Sequence, residues 1–240
     1  MRVLALDTTT RAGSVALIED DRVIAEHAGD PARSHAERLP GDLMRLLEEF
    51  GRAPSDVDVF AVAAGPGSFT GLRIGIATMQ GLAFVQRRPI VAISVLDALA
   101  QQAARELRPG SLVAAWMDAH RHEVFSALYR VTDAPAFTAE RLVEEEAARA
   151  GDPAATLARW TSWPAISVYV GDGAEAYASL ISATPGDARV MAAPAVAATI
   201  GLMSVSRATR GETVDPAGVQ PVYVRRPDVE VKRDAENASR

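Results

Sequence analysis

Between positions 64 and 75 the chain reads Ala-Gly-Pro-Gly-Ser-Phe-Thr-Gly-Leu-Arg-Ile-Gly, directly after an apolar run at residues 57–63. A buried strand that passes through a glycine-rich turn into a helix N-terminus brings unpaired backbone N–H groups to one point. Such a point can hold a phosphate, or it can let a second polypeptide segment press close. The phosphate motifs fit poorly. A P-loop needs Lys and then Ser or Thr after its last glycine, whereas Gly71 is followed by Leu72 and Arg73. Against the dinucleotide fingerprint, Gly65, Gly67 and Gly71 put the third glycine one place late, and the first acid beyond them is Asp97, past a further strand. A Gly-x-Ser-x-Gly nucleophile elbow fails because Ser68 directly follows Gly67. Ser68 or Thr70 reads more simply as the cap of the following helix.

Asp7 ends the first strand and is followed by Thr8, Thr9 and Thr10. A strand-end carboxylate in a hydroxyl-rich loop can lie beside nucleotide phosphates and help hold a metal. It can also simply cap its own loop, as aspartates in turns do. Gly171, Asp172 and Gly173 follow a second apolar run and could meet an adenine or ribose; a tight turn is the plainer reading. Asp7, Thr8, Thr9, Gly65, Gly67, Ser68, Gly171, Asp172 and Gly173 are therefore the candidate nucleotide contacts. His120 and His122 stand two apart at an expected strand start, on the same side as Asp118. No further ligand is in view, and no two histidines are spaced i, i+4. No catalytic residue and no metal ligand is assigned.

The chain of 240 residues is 48% hydrophobic, has a formal charge of −6 and contains no cysteine. It is long enough for one large domain or two lobes. Disulfides, thiolate metal sites and cysteine nucleophiles are excluded. The acidic balance argues against gripping nucleic acid unaided. The N-terminus opens directly on a strand and no membrane-spanning run occurs, so a cytoplasmic protein is expected.

Residues 2–26 read as three strands joined by polar turns. Residues 34–50 read as a helix with Leu39, Leu43, Leu46 and Leu47 on one face, irregular or interrupted near Pro40 and Gly41. Residues 71–86 form a second helix rich in small residues, followed by a strand at 89–93 and a helix at 95–107. A break at Arg108, Pro109 and Gly110 separates a lobe at 1–108 from one at 109–226. In the second lobe strands are expected at 112–117, 123–129 and 167–170, and helices at 140–150, 174–182 and 193–207. The last helix is a candidate to pack back on the first lobe, and residues 219–224 read as extended. The charged end, 227–240, is expected to be disordered. Strands alternating with helices indicate an α/β fold with mixed sheets. The two helices at 35–50 and 71–86 offer surfaces for packing another helix pair.

Taken in order, Leu4-Ala5-Leu6-Asp7-Thr8-Thr9-Thr10, Ser34-His35-Ala36-Glu37-Arg38-Leu39-Pro40, the glycine run, residues 118–125, Gly171-Asp172-Gly173-Ala174 and Pro221-Val222-Tyr223-Val224-Arg225 resemble the bacterial TsaB (YeaZ) family over nearly the full chain. The resemblance implies an actin-like fold of two lobes and a non-catalytic role in making N6-threonylcarbamoyladenosine in tRNA. It implies docking to the transferase TsaD, with the ATPase TsaE and tRNA reached only through the complex, and a competing homodimer on the same helices. On this reading the partner contacts are His35, Leu39, Leu43, Leu46, Leu47, Leu72, Ile74, Gly75, Thr78 and Leu82. No cofactor is expected beyond ADP or ATP near that interface. The rival readings are an actin-like ATPase or nucleotide-binding protein, and a metallopeptidase. His120-Arg121-His122 departs from the Arg-Arg-Gly usual in the family.

Overall fold

The computed structural model describes residues 1–225, so the tail expected to be disordered at 227–240 lies outside the described residues. The chain begins with an antiparallel meander, β1 (Arg2–Asp7), β2 (Ser14–Glu19) and β3 (Arg22–Ala28). Helix α1 (His35–Glu49) leads to β4 (Val59–Gly65), α2 (Phe69–Gln86), β5 (Ile90–Ser94) and α3 (Val95–Ala104). β4 lies parallel to β1, and β5 parallel to β4, giving the order β3-β2-β1-β4-β5. All seven residues of β4 are buried, as a central parallel strand covered on both faces requires.

The second half follows the same plan. A meander of β6 (Leu112–Asp118), β7 (Val124–Val131) and β8 (Leu142–Gly151) is followed by α4 (Pro153–Trp160) and β9 (Ile166–Val170). The short helices α5 (Asp172–Ala176) and α6 (Ala178–Ser182), strand β10 (Arg189–Met191) and α7 (Ala197–Thr209) complete it. Its sheet reads β8-β7-β6-β9-β10, with β9 parallel to β6 and β10 parallel to β9. Strand for strand, the two halves share one order and one set of pairings.

The halves stack in layers. α1 and α2 cover the outer face of the first sheet, and α4, α5 and α6 the outer face of the second. α3 and α7 fill the space between the sheets, where Val3, Ala5, Ile18, Ala61 and Ile93 meet Val113, Ala115, Tyr129 and Val168 through the helices. α7 is held at its start by the first half. Ala197 N donates to Ser14 Oγ (3.1 Å) and Ala198 N to Glu26 Oε1 (2.8 Å), so side chains of β2 and β3 satisfy helix-end N–H groups.

Three expectations give way here. α1 runs unbroken through Pro40, because the carbonyl Pro40 leaves unpaired, that of Ala36, lies on the solvent side while the leucines opposite are buried. Residues 140–150, rich in the helix formers Glu, Ala and Arg, instead enter strand β8 from Leu142 onward, after a short 3₁₀ turn. They complete the ladder along β7, with Arg130 paired to Glu145 and Arg159 to Glu146 at 2.7 Å. Helix propensities differ by only a few tenths of a kcal/mol per residue and yield to that pairing. The helix expected at 174–182 starts earlier and is broken at Tyr177. Residues 219–224, read as extended, belong to no sheet.

His120, Arg121 and His122 stand in the turn between β6 and β7 rather than in a strand. Their φ values are 58°, 55° and 64°. The left-handed region costs a side-chain-bearing residue about 1–2 kcal/mol. Replacing the exposed His122 with glycine is accordingly expected to raise stability by about 0.5–1 kcal/mol, the relief being partly offset by glycine's extra freedom when unfolded. A drop in the urea midpoint of His122→Gly would show that the imidazole itself holds the turn.

Candidate functional site

The residues singled out by their spacing converge at one end of the first sheet. The loop leaving β1 lies directly against the start of α2, and the glycines of α2 are what allow it. A Cβ on Gly71 would collide with the carbonyl oxygen of Thr8, and one on Gly75 with Thr8 Oγ1. At Gly67, whose φ is 156°, a Cβ would sit 2.5 Å from Cβ of Thr9. Ser68 N donates to Thr9 O (2.8 Å), and Ser68 Oγ caps α2 by accepting from Gly71 N (3.2 Å). The cradle shaped for close approach is thus filled by the chain's own threonine loop. Asp7 is spent within that loop: its buried Oδ1 accepts from Thr9 N (2.8 Å) and Thr9 Oγ1 (2.6 Å). Burial pushes the Asp7 carboxyl above the usual range, against the opposing pull of the Thr9 bonds. Gly65 faces a different segment, since its Cβ would lie 2.7 Å from Val222 O.

α1 fixes the other side of the loop. His35 Nε2 lies 3.0 Å from Thr10 O, which only a protonated ring nitrogen can satisfy. Its Nδ1, 3.0 Å from an Arg38 guanidinium nitrogen, must then be the acceptor, so His35 is neutral. Arg38, 3% exposed, also donates to Ala12 O and pairs with Asp42 at 2.6 Å. The block Ser34-His35-Ala36-Glu37-Arg38 is therefore a clamp on the β1–β2 loop, and its start is capped by Glu37, whose carboxylate accepts from Ser34 N (2.9 Å).

Burial holds the His35 pKa below its usual value. The unfolded chain then takes up the proton more readily, so this contribution is complete above about pH 6.5 and is lost as pH falls below it. Buried Asp7 and half-buried Glu26 and Asp172 are shifted upward by desolvation and act in the opposite sense, so the His35 part has to be read by difference. His35→Gln keeps one donor and one acceptor without a titrating proton. We expect the loss of urea stability between about pH 8 and about pH 5 to be smaller in His35→Gln than in the parent chain. Equal losses would remove His35 from the account.

The second half contains the same kind of packing. Gly171, with φ 121°, presses on Trp116 O, and a Cβ on Gly173 would lie 2.7 Å from the carbonyl carbon of Met117. Asp172 Oδ1 accepts from Asp118 N (3.0 Å) and Gly173 N (2.9 Å), and burial raises its pKa. Both halves thus use glycine to seat a helix start against the end of the neighbouring strand. A cleft of ≈ 1110 Å³ lies between them, lined by Thr9, Arg11, Ser68, Asp118, Asp172 and Tyr223 among others. His120 Nδ1 is 3.3 Å from Asp118 Oδ2, and among the described residues no group of three or more His, Asp or Glu is placed to hold a metal ion.

The outer face of α1 and α2 differs from its sequence reading. Leu39, Leu43, Leu46, Leu47 and Leu72 are each no more than 1% exposed, and the four leucines of α1 pack with Leu6, Phe60, Val62 and Met79. With His35 and Gly75 they face inward, which corrects their assignment as direct partner contacts. Ile74, Thr78 and Leu82 are half-buried at the margin. The outward ridge consists of Arg73, Ala77 and Gly81, then Phe84 and Val85 at 76% and 73% exposed. Arg73 is the one charged residue between Phe69 and Gln86. Gly41 and Gly81, both exposed inside helices, have nothing within 4 Å of where a Cβ would be. The adjacent Phe84 and Val85, just before Arg87 and Arg88, are the sequence signal for this face, a weaker one than the leucine periodicity.

The family model described as TsaD, tRNA N6-adenosine threonylcarbamoyltransferase, matches residues 25–182. The chain is 41% identical over 130 residues to the tRNA threonylcarbamoyladenosine biosynthesis protein TsaB of Escherichia coli, a match covering 54% of this chain and 55% of that protein. The chain thus spans about half the length of the curated relatives it matches. A solved structure, YeaZ from Pseudomonas aeruginosa, superposes with a TM-score of 0.74 at 33% identity, covering 92% of this chain and 100% of that one. The activator of 2-hydroxyisocaproyl-CoA dehydratase from Clostridium difficile, solved with ADPNP, matches at TM-score 0.51 and 11% identity over 88% of this chain and 97% of its own, a likeness of fold alone.

Proposed function

This chain belongs to the TsaB (YeaZ) family, and on that premise we propose that it is a non-catalytic subunit of tRNA threonylcarbamoyladenosine synthesis that docks the transferase TsaD through α1 and α2. The observation that carries the reading is the ridge Arg73–Ala77–Gly81–Phe84 with its neighbour Val85. A helix with one charge in eighteen residues, apolar on its solvent side as well, is a helix awaiting a partner. Open glycines on both helices let a second helix pair approach closely. A partner of the same fold suits this face, and the match of the transferase family's own model to residues 25–182 supports such kinship. A homodimer would use the same ridge and compete, while TsaE and tRNA would be met through the complex.

The non-catalytic assignment is supported by how the cleft residues are used. Thr8 and Thr9 fill the glycine cradle that a phosphate would need, and Asp7 and Asp172 cap backbone N–H groups. No resident cofactor is assigned; an adenine nucleotide at the partner interface would have to be held by other groups. The reading is tested by mixing the purified chain with TsaD. Co-elution, and tRNA modification by TsaD that depends on the added chain, are expected, with no nucleotide or peptide turnover by the chain alone. Separate elution, or metal-dependent turnover by the chain itself, would overturn it.

A further inference from the structure

We propose that residues 219–225 form a strap that ties the docking helix to the second half of the molecule, so that docking on α2 and closure over the cleft are one coupled event. This rests on the docking reading above. The strap is fastened to α2 and to the end of β4 that leads into it. Gln80 Nε2 donates to Pro216 O (2.7 Å) and Val219 O (3.1 Å). Val222 N donates to Ala64 O (2.7 Å) just ahead of the helix, and Val222 O occupies the space that the missing side chain of Gly65 leaves. Tyr223 lays its ring against Phe69, centroids 5.3 Å apart, and its hydroxyl accepts from Arg73 Nε (3.0 Å).

The far end of the strap is fastened to the other half. Arg225 donates to Glu123 Oε2 (2.6 Å) and to Ala119 O (3.1 Å) on the β6–β7 turn. Between these points residues 222–225 line the mouth of the cleft, with Val222 and Tyr223 still 51% and 38% exposed. A surface segment outside both sheets, held by a few separate contacts with side chains part-exposed between them, opens locally more easily than the core.

Arg73 links the two functions. It stands one helical turn before Ala77 on the outward ridge, its guanidinium lies 3.9 Å over the Phe69 ring, and it holds the Tyr223 hydroxyl. A partner seated on the ridge removes water from Arg73 and fixes its rotamer, which strengthens the bond to the strap. By linkage, a closed strap favours docking to the same degree.

The test is hydrogen exchange on the full chain, alone and with TsaD, read over residues 219–225. We expect exchange there to slow at least about fivefold in the complex. Tyr223→Phe, which keeps the ring and loses the hydroxyl, should co-elute with TsaD yet lose most of that slowing. In the free chain Arg225→Ala should speed exchange of the Val222 amide, although that amide is bonded to Ala64. Unchanged strap exchange in a complex that co-elutes overturns the coupling and leaves the docking face standing. Failure to co-elute overturns both, and an Arg225→Ala variant with parental exchange at Val222 shows that the strap does not act as a unit.

Discussion

Gly75→Ala is expected to lower stability by about 2 kcal/mol, and adding Thr8→Ala is expected to restore most of it. Alanine for glycine inside an ordinary helix is worth a gain of up to about 1 kcal/mol. Here the added methyl would land on Thr8 Oγ1, with Thr8 Cγ2 only 3.0 Å away. Thr8 is fully buried and β-branched, so it has no free rotamer into which to retreat. Overpacking a tight site of this kind costs roughly 1–3 kcal/mol beyond any propensity gain. Thr8→Ala removes both colliding atoms and forfeits no hydrogen bond, because among the described residues Thr8 Oγ1 has no partner. The measurement is a double-mutant cycle in urea followed by far-ultraviolet circular dichroism. All three tryptophans, Trp116, Trp160 and Trp163, lie in the second half, so fluorescence would watch the wrong end of the molecule. Additive single-variant effects would mean that the loop and α2 do not interlock.

Gly81→Arg is expected to leave the free chain as stable as the parent, or slightly more so, while weakening TsaD binding by at least about 100-fold. Gly81 is exposed within α2 with open space around it, and arginine is a far better helix former. In a close helix–helix contact the same side chain brings both bulk and an unpaired charge, which costs several kcal/mol when buried. The opposite signs of the two effects make the variant informative. A charge at Leu43 would not serve, since Leu43 is part of the core and its replacement would unfold the chain. Asp21→Arg, in the exposed β2–β3 turn, controls for a non-specific effect of the added positive charge. Unaltered affinity in Gly81→Arg would place the partner elsewhere.

Much of this site could be read from residues alone. Strand β4 is legible because a run buried on both faces must be apolar throughout, and the glycine turn because few other sequences permit so tight a strand-to-helix passage. Its misfit to the phosphate motifs was also legible from spacing. What filled the turn was not, since Thr8 and Gly75 are separated by most of the first sheet in sequence and meet only when β1 and β4 pair. The leucines of α1 show the limit of periodicity: spacing defines one apolar face without saying whether the covering surface is the chain's own or another's. Strand β8 shows a second limit, because local propensity favoured a helix and only the ladder along β7 decided otherwise.

Residue types alone make the run from Gly65 to Gly75 a place of close approach, because glycine is the residue that admits another backbone at van der Waals distance whatever that backbone may be. What approaches is set by the pairing of distant strands in the folded chain. The parallel pairing of β1 with β4 delivers the threonine loop into the cradle, His35 and Arg38 hold it there, and the stretch that could have bound an anion becomes the seat of α2, whose ridge, with Arg73 as its one charge, is left facing out.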